Sequence, residues 1–227
     1  MTLSIVARCP ETGQLGIAAA TGTPGVGKLL TWAEPHAGAI ATQGWVNPYL
    51  GADGIDLLAH GHPAHRVLGA VLTLDPAPEQ RQIGVVDASG NVAHHTGEAC
   101  EGWAGVETGD GLSVQGNLLQ SGHGVTACRE TFEASEGELV ARLLAALAAG
   151  VTSGGDHRGE RSATVYVVEA ERYPIWDVRI DESHEPVAEL ERLQGVLHRE
   201  LMSQLRLLPT RRDPRGRTAP PHREGLA

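Results

Sequence analysis

Short apolar runs alternating with polar turns dominate the first half of the chain, and their lengths predict strands. Residues 3–8 and 15–21 are joined by Pro10-Glu11-Thr12-Gly13, a turn ending on a residue that tolerates the left-handed conformation. They predict a hairpin whose first strand begins at the N-terminus. Residues 37–43 predict a third strand of small residues, and residues 82–87 and 91–96 a second hairpin turning at Ser89-Gly90. Residues 114–119, 163–169 and 175–181 complete the strand set.

Between these runs the period changes. Residues 53–60 and 64–74 predict helices, the second with Val67, Leu68, Val71 and Leu72 on one face. Ser135 and Glu138 have capping-box spacing ahead of Leu139, Val140, Leu143, Leu144 and Leu147, with Gly150 as the stop. A last helix is expected over residues 186–208, with Leu190, Leu193, Leu197, Leu201 and Leu205 along one side. The strands are apolar on both faces rather than alternating, which predicts an α+β fold of antiparallel sheets covered by helices. No internal repeat is seen.

Composition narrows the function classes. The 227 residues carry 28 acidic and 18 basic groups, a formal charge of −10, and fit a single domain over residues 1–209. Residues 210–227 hold five arginines against Asp213 and Glu224, interleaved with prolines, so the tail is +3 and the body −13. The tail is expected to be disordered and solvated, docking on an acidic surface being the alternative. An acidic body argues against nucleic acid as a partner. No leader-like segment or apolar run of about 18 residues is present, so no membrane association is expected. Cys9, Cys100 and Cys128 lack CxxC spacing and read as reduced thiols, which suggests a cytoplasmic protein. The spare apolar positions of the last helix, or the strand edges, suggest a homodimer.

Several motifs invite chemistry. Gly22-Thr23-Pro24-Gly25-Val26-Gly27-Lys28 has the glycine and lysine spacing of a phosphate-binding loop, but Leu29 stands where a hydroxyl is needed, and Pro24 removes an N–H from the cradle. A glycine-rich loop leaving the second strand is the simpler reading. His60, His62 and His65, with His94 and His95, could serve a metal-dependent hydrolase, yet nothing nearby completes a ligand set. No metal or other cofactor is expected. The GxSxG nucleophile motif is absent.

Thr2 follows Met1. Methionine is normally trimmed before a small second residue, which would place a hydroxyl nucleophile and a free α-amine of pKa about 7.7–8.0 on one residue. Alone this is a weak signal, since Thr at that position is common.

The blocks Thr2-Leu3-Ser4-Ile5-Val6-Ala7-Arg8, Pro10-Glu11-Thr12-Gly13-Gln14-Leu15-Gly16 and Ala41-Thr42-Gln43 with Asn47-Pro48 resemble the domain-of-unknown-function family 1028. So do Val114-Gln115-Gly116-Asn117-Leu118-Leu119, Gly154-Gly155-Asp156-His157-Arg158-Gly159 and Asp177-Val178-Arg179-Ile180-Asp181, together spanning residues 2–200. Cys9 and Gly22-Thr23 depart from the usual pattern. That family is grouped with the N-terminal-nucleophile (Ntn) hydrolases, so the resemblance implies a four-layer αββα sandwich and hydrolysis of an amide bond by Thr2.

Within that expectation Gln115, Gly116 and Asn117 are candidates for stabilising the oxyanion, and Gln43 and Asn47 are second candidates, for binding substrate. Each could equally be a strand-end residue satisfying loop backbone. Asp156 would orient the α-amine, and Arg158 would bind a carboxylate of a small, acidic amide, unless the two pair with each other. Asp177, Arg179 and Asp181 read as a structural ion-pair set. A non-catalytic small-molecule-binding protein of the same fold is the alternative from another class.

Overall fold

The expected first hairpin is formed by β1 (Thr2–Arg8) and β2 (Leu15–Thr21), with Thr2 opposite Thr21 and Arg8 opposite Leu15. Gly13 takes φ +74° in its turn. The chain continues through β3 (Thr31–Glu34), β4 (Gly38–Gly44), α1 (Pro48–Ala59), α2 (Ala64–Leu74), β5 (Arg81–Asp87) and β6 (Val92–Thr96). Then follow β7 (Trp103–Gly109), β8 (Leu112–Leu119), α3 (His123–Ala134), α4 (Leu139–Gly154), β9 (Ser162–Val168), β10 (Trp176–Ile180), α5 (Pro186–Glu200) and α6 (Met202–Leu205). This is a computed structural model, and it describes residues 2–155 and 159–217.

Two antiparallel sheets result. One has the order β10-β9-β2-β1-β8-β7 and the other β3-β4-β5-β6. Strand alternation divides the apolar residues among three buried clusters. Leu3, Ile5, Val114 and Val165 of the six-stranded sheet pack with Leu143 and Leu147 of α4. Ile40, Ile83 and Val85 of the four-stranded sheet pack with Leu58 and Val67 of α1 and α2. Val6, Ile17, Ala39, Ala41, Val86 and Val168 fill the space between the sheets. Both faces of each sheet are thus covered, which accounts for the apolar strands. Each fully buried leucine or isoleucine contributes roughly 1.5–3 kcal/mol.

Several boundaries differ from expectation for identifiable reasons. α1 begins at Pro48, five residues early, because Asn47 caps it by accepting the Tyr49 N–H at 3.1 Å and Pro48 suits the first helical position. The capping box at Ser135 does not form: Ser135 ends α3, donating to Thr131 O at 2.6 Å, and Glu138 precedes α4 without a side-chain cap. Gly150 does not stop α4. It lies where α3 and α4 cross, and a Cβ there would stand 2.8 Å from Gly124 O and 2.6 Å from Leu3. Strands β3 and β7 and helix α3 went unanticipated, the strands because they are short or half-buried and α3 because only Gly124, Val125, Cys128 and Phe132 are buried.

The last helix breaks at Leu201 into α5 and α6. Leu190 is buried, and Leu193, Leu197 and Leu205 pack on the same cluster. Most of the leucine stripe therefore serves the chain's own core, while Leu201 is exposed. Residues 210–217, expected to be unstructured, form a turn in which Thr210 N donates to Asp213 O at 2.9 Å and Arg217 N to Leu207 O at 3.0 Å.

Candidate active site

Polar side chains interrupt the inter-sheet layer at one end. Alternation along β1 turns Ser4 toward the second sheet, together with Ser113, Gln115 and Asn117 of β8, where they meet Gln43 of β4 and Gln82 of β5. All six are buried. Burying amides and hydroxyls costs free energy unless each is paired, and these pair with one another. Ser113 Oγ donates to Gln115 Oε1 at 2.7 Å, Gln115 Nε2 to Ser4 Oγ at 2.7 Å, and Ser4 Oγ to Gln43 Oε1 at 2.6 Å. Gln43 Nε2 then donates to Gln82 Oε1 at 2.7 Å.

Gln82 is the hub. Its Oε1 also accepts from Asn117 Nδ2 at 3.0 Å, and its Nε2 reaches Gly116 O at 2.9 Å, Thr96 Oγ1 at 3.0 Å and Gly105 O at 3.1 Å. Gly84 of β5 leaves room for the Gln115 amide, which would lie 2.3 Å from a Cβ at that position.

The network surfaces at Thr2. The pairing of β1 with both neighbours sets Thr21, Thr2 and Asn117 in one row across three strands. Thr2 Oγ1 lies 3.2 Å from Thr21 Oγ1, and Thr2 O accepts from Gln43 Nε2 at 3.4 Å. This row lines a cavity of about 280 Å³, together with Thr23, Gly44, Trp45, Gln80, Cys100, Glu101 and Leu118. Leu118 has φ +54°, a left-handed conformation that side chains rarely adopt, and its N–H donates to Glu101 O at 2.9 Å. Gly102, itself at φ +67°, packs directly against the Leu118 backbone.

One ion pair braces two walls of the cavity. The Asp75 carboxylate is fully enclosed and takes Arg81 Nε at 2.9 Å, Arg81 Nη2 at 3.2 Å, Asn47 Nδ2 at 2.9 Å and Ala77 N at 2.8 Å. The Arg81 guanidinium, aided by the Asn47 and Ala77 donors, holds this carboxyl down at about 2 against the penalty of burial. Arg81 Nη1 donates to Trp45 O, while Arg81 O accepts from Gly97 N at 2.9 Å and from Cys100 Sγ at 3.5 Å. Burial pushes the Cys100 thiol up, which keeps it protonated and a donor.

Of the expected site residues, the structure brings Thr2 and Asn117 to the cavity and puts Gln43 directly behind Thr2. Gln115 does not reach it: its amide is consumed by Ser4 and Ser113 two residues deeper along the strand. Gly116 faces the helix side, where a Cβ would meet Leu119 and Val125. Asn47 caps α1 and binds Asp75, so its contribution is to the bracing pair. Met1, Asp156 and Arg158 lie outside the described residues.

The remaining motifs resolve structurally. In the glycine-rich loop, Ser162 Oγ donates to Thr23 O at 2.6 Å and accepts the Val26 N–H at 3.1 Å, so the loop is closed on the protein rather than open as an anion cradle. Lys28 pairs with Asp181 at 3.7 Å in solvent, and Arg179 with Asp177 at 2.8 Å. His60 Nδ1 contacts Asp56 O at 2.7 Å and His95 Nε2 contacts Pro78 O at 2.8 Å. Among the described residues no three or more His, Cys, Asp or Glu converge as metal ligands. All three cysteines are free thiols. No described helix is long and apolar enough to cross a membrane.

Thr21, Trp45, Glu101, Leu118 and the hub Gln82 also belong to the site and are not among the residues singled out by the sequence. A usable signal existed for Gln82: a lone amide in an otherwise apolar strand has to find a buried partner. Nothing in the sequence marks the left-handed Leu118.

The model of the family described as "Family of unknown function (DUF1028)" matches residues 2–190. A crystal structure of a Silicibacter pomeroyi protein assigned to that same family is similar at 30% identity with a TM-score of 0.90, covering 100% of this chain and 99% of that one. Anbu, the ancestral beta-subunit from Yersinia bercovieri, aligns over 92% of this chain and 98% of its own at 13% identity, with a TM-score of 0.38. No curated protein matches.

Proposed function

Because this chain belongs to the DUF1028 family of unknown function, its reaction has to be read from its own residues, and we propose that it is an Ntn-type amidohydrolase with Thr2 as nucleophile. The single observation supporting this is the position of Thr2: the start of an interior strand, paired on both sides, with its hydroxyl lining a cavity of about 280 Å³. The two covered sheets, with Thr2 at the rim of the layer between them, are consistent with the αββα sandwich implied by the family resemblance.

In this reading Met1 is removed and the Thr2 α-amine serves as the base. Thr2 Oγ1 attacks the amide carbon, and its proton passes to the amine as the Oγ1–C bond forms. The carbonyl oxygen becomes an oxyanion, to which the second N–H of the Asn117 amide is assigned, the first being given to Gln82. Such a donor is worth roughly 2.7–4 kcal/mol. The ammonium then protonates the leaving nitrogen as the C–N bond breaks. Water, deprotonated by the same amine, cleaves the ester and restores Thr2. Thr21 sits against the nucleophile and fixes its rotamer, and Gln43 fixes its carbonyl.

The test has two stages. Intact mass should show loss of one methionine, and a retained Met1 would rule out Thr2 as the nucleophile. A β-lactone electrophile should then label the N-terminal peptide of the native chain and of Thr2→Ser, but not of Thr2→Ala.

A further inference from the structure

We infer that the Thr2 cavity selects a small amide bearing a cationic amine, the carboxylate of Glu101 and the indole of Trp45 taking the ammonium between them. The inference rests on the assignment of Thr2 as the reacting group only for the word amide; recognition of the cation stands on the cavity itself. Trp45 and Glu101 both line it and both are exposed, Trp45 at 66%, so neither is committed to the core. A carboxylate and an aromatic face are the two side-chain types that attract an ammonium, one through its charge and the other through its ring quadrupole.

The backbone of both segments is fixed. Trp45 N donates to Gln80 O at 3.1 Å and its carbonyl is gripped by Arg81. Glu101 O accepts the N–H of the left-handed Leu118, and the preceding residue, Cys100, bonds to the carbonyl of that same Arg81. Arg81 thereby ties together the backbone of the two segments that carry the recognition groups, while the indole and the carboxylate themselves stay exposed to a ligand. Among the described residues lining the cavity Glu101 has the only charged side chain; on the proposed reading the Thr2 α-amine is a second, positive group there when protonated. The chain as a whole is −10, which favours approach of a cation. The volume, about 280 Å³, lies at the low end for ligand pockets and suits a substrate of a few functional groups. This reverses the acidic substrate expected from Arg158, a residue outside the described ones.

Three four-carbon amides separate the charge classes: 4-aminobutyramide (cationic), butyramide (neutral) and succinamate (anionic). Ligand-observed NMR titrations use the full chain in a Thr2→Ala background, where the proposed nucleophile is absent. The cationic probe should bind about tenfold more tightly than the anionic one, the size expected of one exposed charge pair acting in opposite senses. Glu101→Gln should collapse that preference while leaving butyramide binding unchanged, and Trp45→Ala should weaken 4-aminobutyramide more than butyramide. Equal or tighter binding of succinamate, an unchanged preference in Glu101→Gln, or no binding of any probe would each overturn the inference. Failure of Thr2 labelling with this preference intact would instead remove the hydrolase and leave an amine-binding site.

Discussion

Replacing Asp75 by Asn tests the bracing pair. The carboxyl is held at about 2, close to two units below an ordinary aspartate, and at 1.36 kcal/mol per unit this corresponds to about 2.5 kcal/mol at neutral pH. The side chain has no solvent exposure and Arg81 only 13%, so little of this is lost to screening. Because the folded-state pKa is depressed, the contribution is complete above about pH 4 and disappears as pH falls toward about 2. The variant also strands the Arg81 guanidinium, so the loss at pH 7 should reach about 3–5 kcal/mol. For a chain of this length that lowers Tm by roughly 2–4 °C per kcal/mol. Urea denaturation followed by circular dichroism at pH 7, and at steps down to pH 2.5, measures both quantities. The native chain should lose stability across the window more steeply than Asp75→Asn. A loss under about 1 kcal/mol at pH 7, or parallel acid profiles, would refute the assignment of this pair as the brace. Coupling to the cavity adds a second readout: with Trp45 no longer held, 4-aminobutyramide binding should weaken at pH 7 in the variant.

Other consequences are testable in the same way. Gln82→Met retains bulk but leaves at least Asn117 Nδ2 and Gly116 O unpaired in the interior, for an expected loss of about 2–6 kcal/mol in denaturant titration with unchanged m. Gly84→Ala pushes a methyl to 2.3 Å from Gln115 Oε1 and should cost about 1–3 kcal/mol, whereas Gly69→Ala, with nothing within 4 Å, should be neutral or stabilising by thermal melt.

The sheets and their covering helices were legible because apolar runs of strand length and a 3.6 period are local signals. Val67 and Val71 of α2 and Leu143 and Leu147 of α4 are buried as their spacing predicts. What escaped depends on partners distant in sequence. Gly150 reads locally as a terminator, yet is required by the α3 backbone crossing it, and Ser135 has capping spacing but ends the preceding helix. For the site, Thr2 was identifiable from its place after Met1 together with the family resemblance, and Asn117 and Gln43 as amides within the resembling blocks. Their order in depth was not, since the two-residue offset that separates Asn117 at the cavity from Gln115 in the interior follows from register across β1 and β8.

That register also sets a schedule. Thr2 is paired to Thr21, near at hand, and to Asn117, which emerges from the ribosome 115 residues later. At about 5–20 residues per second, roughly 6–23 s separate the two. Until Asn117 arrives, one edge of β1 is unpaired and the chain's start is open to an aminopeptidase; afterwards the same residues are locked between two strands. On the proposed reading, removal of Met1 would be easiest in that interval, before β8 pairs with the start of β1.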